Sequence, residues 1–185
     1  HDKALLRLLS YVKGSLGLRQ WSWYDPTDDC SHLHVFADAD FAGCHATQRS
    51  TSGIAVQFGS KRSPCPIVFS SKRQSCVSHS TAEAEIVALD SAVRMHAMPL
   101  LTLFQTLLPN CMAILHEDNQ AALQIVRSGR NPTLRHLRRT HKVCITWLCE
   151  ALQHSDFHVL YDKSSNQAAD VFTKSFVDSR RWAHA

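Results

Sequence analysis

The chain lacks most of the features that would classify it at a glance. No apolar stretch approaches the roughly 20 residues of a bilayer-spanning helix, because Lys, Arg or Asp interrupts each apolar segment within a few residues. A membrane partner is therefore not expected. A secretory leader is missing too, and the opening His1-Asp2-Lys3 suggests a piece of a longer polypeptide. The seven cysteines (Cys30, Cys44, Cys65, Cys76, Cys111, Cys144 and Cys149) are odd in number and include no Cys-x-x-Cys pair. They read as free thiols of a reducing compartment, which points to an intracellular setting. The twelve histidines invite a zinc reading, but His136, His141, Cys144 and Cys149 match no compact zinc spacing, and a helical segment explains them better. Internal repeats and low-complexity tracts are absent.

What remains is an ordinary globular composition. At 185 residues, with 44% hydrophobic and 19% charged residues, the chain is long enough for one domain with its own core, and global disorder is excluded. A net charge of +4 is too weak to announce a nucleic-acid binder. Its distribution says more. Arg127, Arg130, Arg135, Arg138, Arg139 and Lys142 form a run without any acid, joined by His136 and His141. Such a segment suits phosphate contacts, or else a solvated helix face.

Hydrophobic periodicity divides the chain. Residues 1–13 carry Leu5, Leu8, Leu9 and Val12 at helical spacing, and Asp25-Pro26-Thr27-Asp28-Asp29 reads as a polar turn, so a boundary near residue 30 is expected. LHVFAD, IAVQFGS and PIVFSS then read as three short strands of an antiparallel meander. Ser80-Thr81-Ala82-Glu83 is a capping-box signature for a helix running to about Ala97, ahead of Pro99. LLTLFQTLL is a further helical piece, AILHED a fourth strand and NQAALQIVRS a short helix ending at Gly129. Residues 133–153 read as one long helix, FHVLY as a fifth strand and Asn166–Ser175 as a last helix. The order gives an α/β layout with a mixed sheet.

Four acids fall at the ends of these elements. Asp38 closes the first strand on the face of His34 and Phe36, where it has the alternative role of a turn former. Glu83 has a sufficient role as partner of Ser80, on a largely solvated face with Val87, Asp90 and Arg94, whereas Glu85 shares a face with Leu89, Ala92, Val93 and His96. An acid on the buried side of a helix needs compensation, so Glu85 is the better candidate. Asp118 ends the fourth strand, on the opposite face from Glu117, and could instead cap the helix after it. Asp170 sits in the first turns of the last helix, where acids suit the dipole. If the four carboxylates converge, their repulsion calls for divalent cations.

The ordered motifs DADFAG, QRSTSG, FSSKRQSCVSHSTAEAE, EDNQAAL, RRTHK and NQAADVFTK closely resemble the ribonuclease H domain of copia-type retrotransposon polyproteins over residues 33–177. Residues 1–18, with YVKGSLGL, resemble the trailing end of the reverse transcriptase that precedes that domain. The resemblance implies segments 1–30 (trailing transcriptase and linker), 31–178 (ribonuclease H-like domain) and 179–185 (tail). It implies a ribonuclease H-like fold, with a five-stranded mixed sheet of three antiparallel strands and two parallel additions, flanked by helices. It also implies cleavage of the RNA strand of an RNA·DNA hybrid, leaving 5′-phosphates, in the cytoplasm, a virus-like particle or the nucleus. The covalently attached reverse transcriptase is the implied partner. Asp38, Glu85, Asp118 and Asp170 match the four acids of the family. Their hard oxygens suit Mg²⁺ or Mn²⁺, two ions roughly 4 Å apart, with Asp38 bridging both. Ser78, Ser80, Asn119 and Gln120 are candidate contacts to the sugar edge, and Arg130, Arg135, Arg138, Arg139 and Lys142 to DNA-strand phosphates.

The chain departs from the family in the loop Tyr161–Asn166, which lacks the histidine often found before the last acid. His158 is a weak substitute in the preceding strand, and Lys163 a speculative stand-in. The run Thr140-His141-Lys142 also differs from the family's usual form. Two other readings compete: a catalytically silent module that positions hybrid for an attached polymerase, and a nuclease or integrase of the same fold acting on DNA.

Overall fold

Residues 2–23, 25, 27, 31–60 and 62–174 are described in this computed structural model. The expected boundary near residue 30, Cys30 and the expected tail 179–185 lie outside them. Five strands form one sheet in the order β3-β2-β1-β4-β5: β1 (His32–Asp40), β2 (Thr51–Gly59), β3 (Cys65–Arg73), β4 (Ala113–Glu117) and β5 (Phe157–Tyr161). The β1–β2 and β2–β3 pairs are antiparallel, and the β1–β4 and β4–β5 pairs are parallel. This is the expected meander with two parallel additions.

The two-residue period of β1 splits its side chains between two layers. Leu33, Val35, Ala37 and Ala39 join Ile54, Val56 and Leu115 in the main core. Phe36 and Ala55, on the other face, pack with Ala169. The main core is covered by α2 (Thr81–Ala92), whose Ala84, Ile86, Ala88, Leu89 and Ala92 are fully or almost fully buried. Ser80 starts this helix by accepting the Glu83 N–H at 3.1 Å. The reciprocal arm of the cap lands one residue early, on the N–H of His79 at 3.0 Å.

The helix does not stop before Pro99. A π turn at Val93–Ala97 leads directly into α3 (Met98–Gln105), with Pro99 in the first turn of the new segment, where a missing N–H costs little. The continuous span Thr81–Gln105 is 25 residues and, by length and composition alone, long and apolar enough to cross a membrane, which corrects the expectation that no stretch qualifies. Its buried face is spent on the sheet instead.

After β4, α4 (Gln120–Ser128) is capped by the Asn119 side chain, which accepts from Ala122 N–H at 3.0 Å, and closed by Gly129 in the left-handed region at φ 66°. The single helix expected over 133–153 is three pieces: a 3₁₀ turn at Pro132–Leu134, α5 (Leu137–Thr140) and α6 (Ile145–Leu152). Lys142 at φ 62° breaks the run, and Leu134, Leu137 and Val143 are buried around the break, so their burial replaces continuous helical pairing. The expected last helix is likewise two 3₁₀ turns, Ser164–Asn166 and Ala168–Phe172. At the other end α1 (Asp2–Ser15) buries no residue, and the segment after it runs beside β3, with Gln20 Nε2 donating to Pro66 O at 3.2 Å.

Candidate metal centre

The strand order reverses between β1 and β4, which run parallel, so a crevice opens at their carboxyl ends. Asp38 reaches it from β1, Asp118 from the residue after β4, and Glu85 from the first half of α2, across the main core. One carboxylate oxygen from each lies within 4.8 Å of the others. Asp38 is 2% and Glu85 4% exposed, yet both line a cleft of about 490 Å³ with Asp118, Thr81, Asn119, Gln120 and Lys174.

Asp170 stands beside this triad rather than in it. It rides on the Ala168–Phe172 turn, and Lys174 links it to the others, with Nζ 2.6 Å from Asp170 Oδ1 and 3.5 Å from Asp38 Oδ1. The Thr173 hydroxyl donates to Asp38 Oδ2. The turn can approach because the residue paired with Asp38 across the sheet is Gly53. A Cβ there would lie 2.7 Å from Ala169 O and 2.7 Å from Thr173 Cγ2. Lys174, Thr173 and Gly53 carried no role in the sequence reading. The spacing of Lys174 four residues after Asp170 was the available signal for the first.

Burial drives the electrostatics. Desolvation, then the charges of Glu117, Asp38 and Asp118, push the Glu85 pKa up to about 10, with Lys174 working the other way. Glu117, passed over in the sequence for Asp118, lies fully buried behind it. Desolvation raises its pKa to about 8, against a hydrogen bond from Asn119 N–H. Burial also raises Asp170, opposed by Lys174. For Lys174 burial works against the ammonium, but the hydrogen bond to Asp170 and the charges of Asp38, Asp170 and Asp118 outweigh it, and its pKa ends raised. Glu85 Oε2 and Glu117 Oε2 are buried with no hydrogen-bond partner. A cluster of three hard carboxylates, with one Glu85 oxygen left without a hydrogen-bond partner, could hold a divalent cation.

The remaining expected site residues separate into open and closed. Asn119 caps α4 at the cleft wall, Gln120 is exposed beside it, and Ser80 is exposed at the start of α2. Ser78 is different: it is 3% exposed and its hydroxyl donates to Gln74 Oε1 at 3.0 Å, so the contact expected of it is closed to solvent. Lys163 is exposed, and it is the neighbouring Ser164 hydroxyl that reaches the acids, donating to Asp118 Oδ2. His158 is exposed on β5. The basic residues Arg130, Arg135 and Arg138 line a hollow of about 410 Å³ beyond the far end of α4 from the acids. Arg139 and Lys142 are exposed nearby.

Glu83, expected on a solvated face, is 0% exposed. Its Oε1 faces His136 Nε2 at 3.0 Å and His141 Nε2 at 3.7 Å, from a segment about fifty residues downstream. Asp90 on the same face is also buried, paired with Arg94 at 3.4 Å.

No family model matches the chain. In sequence it is 27% identical over 176 residues, 94% of its length, to the retrovirus-related Pol polyprotein from transposon TNT 1-94 of Nicotiana tabacum. It is 29% identical over 177 residues to that from transposon RE1 of Arabidopsis thaliana. The chain spans only 12% and 11% of the length of these two polyproteins. Among solved structures it resembles a ribonuclease H1 isolated from compost by a metagenomic approach, with a TM-score of 0.50 at 16% identity, covering 78% of this chain and 94% of that one. The chain thus has the ribonuclease H fold and is a relative of the retrovirus-related Pol polyproteins of plant transposons.

Proposed function

We propose that the chain is the ribonuclease H segment of a transposon polyprotein, hydrolysing the RNA strand of RNA·DNA hybrids beside an attached reverse transcriptase. The observation that carries this reading is the gathering of Asp38, Glu85 and Asp118 within 4.8 Å at the strand ends of a ribonuclease H fold. These three residues, with Asp170, would hold two Mg²⁺ or Mn²⁺ ions. Bound there, such ions would supply an activated water and charge stabilisation at the departing oxygen, and the expected product carries a 5′-phosphate.

The chain's own groups set the frame for that chemistry. Thr173 and Ser164 each donate a hydroxyl proton to one oxygen of Asp38 and Asp118, which fixes the carboxylates' orientation. Lys174 keeps Asp38 and Asp170 together. Gln120, open at the cleft, and Ser80, exposed at the start of α2, are candidates for the sugar edge, and Arg130, Arg135, Arg138, Arg139 and Lys142 for backbone phosphates. An intracellular location, in cytoplasm or nucleus, goes with this reading.

A labelled RNA·DNA hybrid incubated with the purified chain, with and without Mg²⁺ or Mn²⁺, is the test. RNA-strand cleavage that needs the ion and falls by about 10²-fold or more in Asp38→Asn is the expected result. A second reading, a silent hybrid-positioning module, draws on Lys174, an internal cation that already offsets the acids. Hybrid binding without cleavage would select it, and cleavage of duplex DNA would sink both.

A further inference from the structure

The β1–β4 ladder, paired from Leu33–Ala113 to Phe36–His116, ends just short of the acidic triad. Beyond it β1 continues with β2 as far as Asp40, and β4 with β5 as far as Glu117. The two strands that deliver Asp38 and Asp118 therefore part, and a buried side chain fills the fork. Gln167, 3% exposed, donates from Nε2 to Ala37 O at 3.1 Å and to His116 O at 3.3 Å. Both carbonyls can only accept, so the amide must face them with its nitrogen. Its oxygen, Oε1, is then left buried with no hydrogen-bond partner. An orphaned buried oxygen costs about as much as such hydrogen bonds return, so the side chain adds little net stability. Its effect is on geometry.

The main chain of Gln167 is engaged as well. Its N–H donates to Ser164 O at 3.2 Å, in the turn whose hydroxyl reaches Asp118. Its carbonyl accepts from the Asp170 N–H at 3.1 Å. Ala37 O belongs to the peptide that leads into Asp38, and His116 O to the peptide that leads into Glu117, one residue before Asp118. Gln167 thus holds the carriers of Asp38, Asp118 and Asp170 at once, although it does not line the cleft. We propose that Gln167 is the positioning residue of the metal centre. Its amide spaces the ends of β1 and β4 so that Asp38 and Asp118 meet at a common ion, and its main chain seats Asp170 beside them. This rests on the metal-centre reading given above. Asparagine would bring the same amide one methylene short of the fork, and glutamate would present oxygen where donors are needed.

The test compares wild type with Gln167→Met and Gln167→Asn. Three quantities are measured: Mn²⁺ binding by calorimetry, metal-free thermal unfolding, and kcat and KM on a labelled RNA·DNA hybrid. Methionine keeps the length but loses both donors and the orphaned oxygen, whereas asparagine keeps the amide and withdraws it. Both variants should bind Mn²⁺ about tenfold more weakly or worse. Turnover should fall by a similar factor while KM for the hybrid stays within about twofold, because Gln167 lies outside the cleft. The melting temperature of Gln167→Met should stay close to that of wild type. Wild-type Mn²⁺ affinity in a folded variant overturns the proposal, whatever happens to its melting temperature. So does a loss carried by KM alone. If neither variant folds, Gln167 is a structural residue and the proposal falls. A wild-type chain that binds no Mn²⁺ overturns it together with the metal-centre reading. Mn²⁺ binding without hybrid cleavage sinks only the ribonuclease reading, and ion affinity still decides on Gln167.

Discussion

Glu85 is an acid that the fold forces into an apolar layer. Its neighbours Ala84 and Ile86 are fully buried, and one of its own oxygens is orphaned. Without a cation, a carboxyl with a pKa near 10 is neutral at pH 7. Glu85→Gln should therefore leave the metal-free melting temperature unchanged or slightly higher at pH 7, while calorimetry shows Mg²⁺ or Mn²⁺ binding weakened tenfold or more. Lys174→Gln should act in reverse. Removing the internal ammonium lowers metal-free stability, by about 1 kcal/mol for a half-exposed pair, and raises divalent-ion affinity measured in the same way. Leu89, Ala92 and Val93 mark in the sequence the face of α2 that carries Glu85, which the fold brings to Asp38 and Asp118. The burial of Glu83 was not legible, since it depends on His136 and His141, which local periodicity cannot bring into view. Lys174 escaped for a similar reason: its partner Asp38 lies across the sheet.

Elements were readable where one rule governed them. The five strands are short β-rich runs bounded by turn residues, and each appears within a few residues of its expected bounds. Helices whose course is set by packing were not readable. Pro99 signalled a stop, but the π turn before it moved the proline into a first turn. The apolar spacing over 133–153 fitted one helix, yet Lys142 adopts a left-handed backbone and the run breaks there. Gly53 belongs to this scale, since its missing side chain seats the turn that bears Asp170. Gly53→Ala should destabilise the fold by about 1–3 kcal/mol in denaturant unfolding, through the clash with Ala169 O and Thr173. It should also weaken Mn²⁺ binding even though no acid has been changed. Unaltered stability and ion affinity would show that the turn is not seated by that glycine.

Over the whole molecule, the buried acids link stability to pH. Glu85 and Glu117 have folded pKa values raised to about 10 and about 8 from a usual 4.5. The folded state then binds more protons than the unfolded chain, so their stabilisation is complete below pH 4.5 and is lost as pH rises towards 8 and beyond. Metal-free protein should lose on the order of 1 kcal/mol per pH unit between pH 5 and 8, and saturating Mg²⁺ or Mn²⁺ should flatten that slope. A metal-free stability that climbs over this range would contradict the buried, protonated state of both groups.

Helix α4 connects the acidic cleft, at Asn119 and Gln120, to the arginine-lined hollow beyond Gly129. Its nine residues make a rod of about 13 Å, or roughly four base steps along a duplex. Under the proposed function, a rod with the cutting edge at one end and the grip at the other is a ruler. The distance between the phosphate that is held and the phosphate that is cut becomes a dimension of the protein, independent of the bases in between.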